Sequence, residues 1–376
     1  MRLLVGGRVL SGGEVREGYA LLFTDRVLAC IPEPLTEGID AERIRLDGEY
    51  VLPGFVDVHV HGAQGTDIMD ASDEAVDALS LAMARGGTTA FAPASVTAPM
   101  PEIEAAVEAV RRGIARPLPG AVLLGLHLEG PWIEPSMKGA HPEPFILPVP
   151  DADWVADRAD ALRTVTFSPI LDPKHGFLRR LCGLGIVPSL GHTTADFETA
   201  RAAIEAGARS ITHLFNAQTG LHHRRPGMVG AAAVTGVMCE FIADGQHVRS
   251  ELFEPLCRLI GTDRLILVTD SIRAGGLPDG EYAFAGGRVR VVKGLPVQPD
   301  GTIAGSSLTM NQAVRNFWRA TGRPLAEVAG MASRNPARLL GLKRKGSLDP
   351  GYDADIVCLD NDLDVVMTFV GGRRVV

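Results

Sequence analysis

The stretch "GFVDVHVHGAQG", residues 54–65, ends an apolar run with Asp57, His59 and His61. In a β-strand, residues two apart point to the same side. The three polar groups therefore project one way from the end of one strand. Such a set costs desolvation unless something coordinates or hydrogen-bonds it. Two readings stand on these residues alone: a polar strand end facing solvent, or half of a metal site.

The segments that follow set the context for this strand. Apolar strand-like runs alternate with amphipathic helical patterns. The strand candidates are "VLPGFVDVHV", "TTAFAPAS", "AVLLGLHLEG", "TVTFSPI", "IVPSLGHTT", "SITHLFNA", "VMCEFIADG" and "RLILVTDS". Helical patterns such as "SDEAVDALSLAMARGG" and "TADFETARAAIEAGA" lie between them and stop at glycine. This alternation predicts a parallel sheet covered on its faces. Eight strands over roughly 220 residues fit a closed (β/α)8 TIM-like barrel, expected over residues 53–345. An open doubly wound sheet is the rival, but no GxGxxG follows the first strand. Residues 1–52 and 346–376 have a different texture, short alternating strands between glycine pairs, and predict one small β domain built from both termini.

Composition excludes several classes. Lys plus Arg is 37 against 45 for Asp plus Glu, a net charge of −8. That argues against a nucleic-acid or anionic-membrane surface. The five cysteines are scattered, without a CxxC, so neither a disulfide scaffold nor a structural zinc module is expected. The apolar part of "MRLLVGGRVLSGGEV" is too short for a signal peptide. No Ala-rich stretch reaches the roughly 20 apolar residues of a membrane helix. A cytoplasmic location is expected.

The polar residues of the eight strands fall at their C-terminal ends. His59 and His61 close the first, Glu129 the third and His192 the fifth. His213 lies in the sixth, Asp244 ends the seventh and Asp270 the eighth. In a parallel barrel these ends gather on one face, where barrel active sites lie. Four histidines and three carboxylates on that face favour a divalent metal over packing. Imidazole and carboxylate suit zinc, and also iron or other divalent ions. There is room for two metals: His59 and His61 for one, His192 and His213 for the other, with Glu129 bridging them or serving the second alone. Asp270 fits a general base toward a metal-activated water, or else a third metal ligand. Asp57 is expected to orient a histidine from behind.

"PGFVDVHVHG", with an aspartate after the eighth strand, resembles the amidohydrolase superfamily. The ordered set "HLEGPWI", "KGAHP", "GHT", "THLFNA", "RPG", "ADGQHV", "LVTDS" and "GTIAGSSLTM" is similar to the N-acetylglucosamine-6-phosphate deacetylase family, as are "NPAR" and "KGSLDPGYDADIV". The resemblance spans nearly the whole chain. It implies a barrel plus a small β-sandwich, a homodimer, and hydrolysis of N-acetylglucosamine 6-phosphate to glucosamine 6-phosphate and acetate. It implies metal ligands at Glu129, His192 and His213, with one or two metals per subunit, and a catalytic carboxylate at Asp270. His141 of "KGAHP" is implied to contact the acetamide carbonyl. Asn216, the Ala217 amide and Arg224 are implied to hold the phosphate, with His247 reaching a neighbouring subunit's substrate. Arg225, Gln218, Gln246 and Ser271 depart from the family pattern. A deacetylase for the galactosamine analogue is the alternative, and a non-catalytic scaffold on the same fold is the rival from another class. Family members without the HxH pair work with one metal, so the resemblance makes His59 and His61 a capacity for a second.

Overall fold

The computed structural model describes residues 1–376. Eight parallel strands form its centre: β1 (Phe55–Val60), β2 (Thr88–Pro93), β3 (Leu126–Glu129), β4 (Leu162–Phe167), β5 (Val187–Leu190), β6 (Ser210–Ile211), β7 (Met238–Ile242) and β8 (Leu265–Val268). β1 pairs with β2, and β3 through β8 pair in sequence order, all parallel. Two seams close the ring. Between β2 and β3, the Ser95 N–H donates to the His127 carbonyl at 3.0 Å. Between β8 and β1, the Asp270 N–H donates to the His59 carbonyl at 2.9 Å, and the His61 N–H to the Ser271 carbonyl at 2.8 Å. The expected barrel is therefore closed, and the second seam is made by candidate site residues themselves.

Local chemistry explains the elements. β1, β2, β5, β7 and β8 are buried along their whole length, as their continuous apolar runs require in a sheet covered on both faces. The Ser72 side chain caps Asp73–Arg85 by accepting from the Ala75 N–H. Asp196 does the same for Phe197–Glu205, with Thr199 as donor. That helix starts three residues later than the pattern from Thr194 predicts, because the aspartate takes the cap.

The two ends of the chain share one six-stranded sheet. Ile356–Leu359 pairs antiparallel with Tyr50–Pro53, which runs parallel to Arg8–Ser11. A four-stranded sheet made of Val27–Pro32, Tyr19–Phe23, Arg2–Val5 and Glu42–Arg45 accompanies it. Phe23 of the smaller sheet meets Phe369 of the larger edge to face, ring centroids 5.3 Å apart, among Leu4, Leu21, Val51 and Met367. After β8 the chain adds a three-stranded antiparallel sheet, Gly280–Phe284, Gly287–Val292 and Leu295–Val297. It packs Phe284, Val289 and Val291 on Val96 and Ile272 beside the barrel mouth.

Phe369 is fully buried between the two terminal sheets. Phe369→Ala is expected to cost about 3–5 kcal/mol through lost burial and an unfilled cavity, read by urea unfolding. An unchanged midpoint would mean that the sheets do not depend on this contact.

Candidate active site

The strand ends converge on Glu129, which is 2% exposed. Its Oε1 lies 3.1 Å from His192 Nε2 and 3.0 Å from His213 Nε2. Its Oε2 lies 3.5 Å from His59 Nε2 and 3.3 Å from both His61 Nε2 and His141 Nε2. Asp270 Oδ1 stands 3.4 Å from His59 Nε2 and 3.2 Å from His61 Nε2. One carboxylate therefore faces two histidine sets with its two oxygens, and the second carboxylate joins the His59–His61 set.

The backbone aims these groups. His192, His213 and Asp270 each lie two residues past the end of a strand and have φ of 48°, 28° and 47°. A left-handed residue there turns the chain off the strand while its side chain stays over the barrel axis. Non-glycine residues at such angles cost of order 1–3 kcal/mol each and cluster at functional sites. Gly305 answers Asp270 across the mouth. A Cβ at Gly305 would lie 2.7 Å from the Asp270 carbonyl oxygen, and its own φ is +57°, so glycine is required.

Hydrogen bonds at Nδ1 sort the rings into two kinds. His61 Nδ1–H donates to the Ala94 carbonyl at 3.0 Å, His192 Nδ1–H to the Met137 carbonyl at 2.8 Å, and His59 Nδ1–H to Glu240 Oε2 at 2.9 Å. Each leaves Nε2 facing Glu129, with a lone pair there when the ring is neutral. His141 is the reverse. Its Nδ1 accepts from the Thr97 N–H at 3.0 Å, so the neutral ring carries its proton on Nε2 and offers a donor to the cavity.

Electrostatics follow the same geometry. Burial raises Glu129, but His59 and the other histidines outweigh it and hold its carboxyl well below the usual range. Asp270 is likewise lowered against burial by His59 and His61. Burial opposes charge on His61, yet hydrogen bonds to Asp270 and Glu129 push it up to about 10. His141 goes the other way, to about 4, chiefly through burial, and stays neutral.

The donor set fits a divalent cation. His192 Nε2 and His213 Nε2 stand 3.1 Å apart, both against one carboxylate oxygen. The fully buried His59 Nε2 has no hydrogen-bond partner. Imidazoles with their lone pairs turned inward around a shared carboxylate are metal-ligand chemistry.

A cavity of about 320 Å³ opens over these groups. His61, Glu129, His141, His192, His213 and Asp270 line its floor. Asn216, Ala217, His247 and Phe284 form part of its wall, with Phe284 edge-on to His61 at 5.6 Å. The three-stranded sheet thus borders the cavity through Phe284. The Ala217 amide donates to no group of the chain, and Ala217 sits at φ 50°. Gln218 holds this loop: its buried Nε2 reaches the carbonyls of Thr212, His213 and Asn216 at 3.1, 3.2 and 3.3 Å.

Two expectations need correction. Asp57 does not orient a histidine ring. Its Oδ1 accepts from the His59 main-chain N–H at 3.2 Å and its Oδ2 from the Thr269 hydroxyl at 2.6 Å. Two residues of strand separate it from His59 by roughly 6–7 Å, so it sits one layer deeper, and burial lifts its carboxyl to about 7. Arg224 does not line this chain's cavity but is exposed, with its guanidinium 2.7 Å from His223. His247 lines its own chain's cavity, and Asp244 accepts its main-chain N–H at 2.9 Å and its Nδ1–H at 2.6 Å. Glu240, His127 and Thr97 escaped the sequence reading. The only signal was an acidic residue inside the apolar run "VMCEFIADG".

The chain belongs to the amidohydrolase family, whose model matches residues 50–375. Within it, the chain groups with the amino-sugar-phosphate deacetylases. It is 38% identical to N-acetylgalactosamine-6-phosphate deacetylase of Escherichia coli O157:H7, over 97% of both chains. It is 38% identical to N-acetylglucosamine-6-phosphate deacetylase of Vibrio furnissii, over 98% of this chain and 93% of that one. Among solved structures, a mutant Mycobacterium smegmatis N-acetyl-D-glucosamine-6-phosphate deacetylase in complex with N-acetyl-D-glucosamine-6-phosphate superposes with a TM-score of 0.92. It is 34% identical, over 100% of this chain and 99% of that one.

Gln218→Leu keeps the volume but removes donors from three inward-facing carbonyls. It is expected to cost about 1–3 kcal/mol, read as a lower unfolding midpoint. No change would show that the Ala217 loop is held by its other bonds.

Proposed function

We propose that the chain hydrolyses the acetamide of N-acetylglucosamine 6-phosphate, releasing acetate and glucosamine 6-phosphate. The observation that carries this is the convergence of ligand, base and donor on one cavity. Glu129 Oε2 lies 3.3 Å from His141 Nε2, and Asp270 Oδ1 lies 3.2 Å from His61 Nε2, on the same floor. Glu129, His192 and His213 would hold one divalent cation; His59 and His61, sharing Glu129, would hold a second. Zinc suits this nitrogen and oxygen set best. When bound, a divalent cation supplies Lewis acidity and makes water acidic enough to lose a proton near neutral pH.

The chain's own groups do the rest. Asp270, kept ionised by the histidines beside it, takes the proton of the attacking water and returns it to the departing sugar nitrogen. His141 Nε2–H donates to the amide oxygen as negative charge builds there. Its neutrality does not weaken this role, because the Thr97 amide fixes which nitrogen carries the proton. The free Ala217 amide, Asn216 and His247 on the cavity wall suit the sugar phosphate. His247, raised by Asp244 against burial, favours an anion.

The exposed run Leu221–Arg225, with Leu221 54% exposed, suits contact with a second copy, so the reading includes a homodimer that engages Arg224. No helix is long and apolar enough to cross a membrane, in keeping with a cytoplasmic enzyme. The shared terminal sheet supports residues 1–52 plus 346–376 as one unit and 53–345 as the barrel.

Acetate release from N-acetylglucosamine 6-phosphate by zinc-loaded protein tests the reading, and no release would sink it. Asp270→Asn should lower kcat about 10²–10⁴-fold while the protein stays folded and loaded. The 38% identity to the Escherichia coli galactosamine enzyme favours one second reading, the 4-epimer as substrate. Side-by-side kcat/KM on the two epimers decides between them.

A further inference from the structure

Glu240 lies in the middle of β7, fully buried, with its side chain inside the barrel beneath the cavity floor. The only ion pair it makes is with His59, Nδ1 to Oε2 at 2.9 Å. The same oxygen accepts the main-chain N–H of His213 at 3.4 Å. Its other oxygen, Oε1, has no partner. The neighbouring ring, His127, cannot relieve this charge. It sits 4.5 Å from His59, donates Nδ1–H to the Val58 carbonyl at 2.9 Å and holds the Thr166 hydroxyl on Nε2 at 2.7 Å.

A buried carboxylate with one neutral donor and one long amide contact is costly. The cost is offset only if its partner carries positive charge. His59 can do so in two ways, as an imidazolium or as the ligand of a cation on Nε2. In the second case Glu240 also sets the tautomer, since Nδ1–H pointing at a carboxylate leaves the lone pair on Nε2. Main-chain carbonyls, of Ala94 and Met137, play this part for His61 and His192. Only His59 receives a full charge for the purpose.

We infer that Glu240 is a positioning residue for a second cation. It turns and polarises His59 so that the His59–His61 end of the site binds metal, and a chain with His59 but without Glu240 binds one cation well and the second poorly. The inference rests on the proposed reading of the floor as a metal site.

The test is metal uptake, not turnover. Metal-free full-length protein is titrated with zinc by calorimetry, and the ions retained per chain are counted by mass spectrometry. Wild type is expected to take two. Glu240→Leu, close in volume, is expected to weaken one site about 100-fold and leave the other unchanged; Glu240→Gln, which keeps an acceptor oxygen, should weaken the same site about tenfold. His59→Gln should abolish that site, and adding Glu240→Leu to it should change zinc binding no further, since both act through one ring. If Glu240→Leu does not fold, Glu240→Gln with the His59→Gln double variant carries the same comparison.

Wild type taking no zinc would overturn the proposed metal site itself. Two tight sites in both Glu240 variants would overturn only the role of Glu240. So would equal weakening of both sites, the mark of a general structural effect. A single wild-type site that survives His59→Gln would overturn it too.

Discussion

Everything at the mouth of this barrel depends on burying the Glu129 carboxylate. A charge at that depth is tolerable only with close positive or strongly polar partners. Its two oxygens divide the surrounding rings, His192 and His213 on one side, His59, His61 and His141 on the other. The barrel supplies the means, because strands that start at different places in the chain all end on one face. The closing seam between β8 and β1 runs through the main chain of Asp270 and His59. Ring closure and site assembly are therefore the same event, and a barrel that opened at this seam would lose both.

Five histidines share this floor, yet they are not equivalent, and residue type does not distinguish them. The partner of Nδ1 does. A carbonyl or carboxylate there leaves an inward lone pair, as at His59, His61 and His192; a donor there, the Thr97 amide, leaves an inward N–H, as at His141. Lone pairs suit a cation and an N–H suits a developing oxyanion. The groups set against Nδ1, main chain at His61, His192 and His141 and the Glu240 side chain at His59, thus give one residue type two different inward faces. The contrast also explains why His141 can sit 3.3 Å from the shared carboxylate without joining the inward lone pairs.

The sequence made the barrel and the strand-end groups legible because both depend on pattern. Continuous apolar runs mark buried parallel strands, and polar residues at their ends mark a face. What stayed hidden depends on packing in three dimensions. Glu240 reads as one acidic residue in the run "VMCEFIADG", and nothing local says that its side chain turns inward toward His59. The Ala94 and Met137 carbonyls have no side-chain signature at all. Asp57 was misassigned because a period of two gives the face but not the depth. Arg224 was carried to the cavity by motif resemblance, whereas its placement depends on what packs against its loop. The Asp244 carboxylate that holds His247 lies three residues away, a pairing that strand-end reading does not reveal.

The cavity wall that carries Ala217 is built by strain rather than by regular structure. His213, Phe215 and Ala217 all have positive φ within five residues, each at a cost of order 1–3 kcal/mol. A loop so bent would relax unless its carbonyls were held, and the buried Gln218 amide reaches three of them. An apolar side chain at that position would offer no hydrogen-bond donor and would have to hold the loop by packing alone. The glutamine therefore trades adaptable packing for a fixed backbone. A fixed backbone keeps the Ala217 N–H aimed at the cavity before any ligand arrives, so less ordering remains to oppose binding. By this logic the glutamine at residue 218 sets the rigidity of the cavity wall, independently of the Glu129 floor.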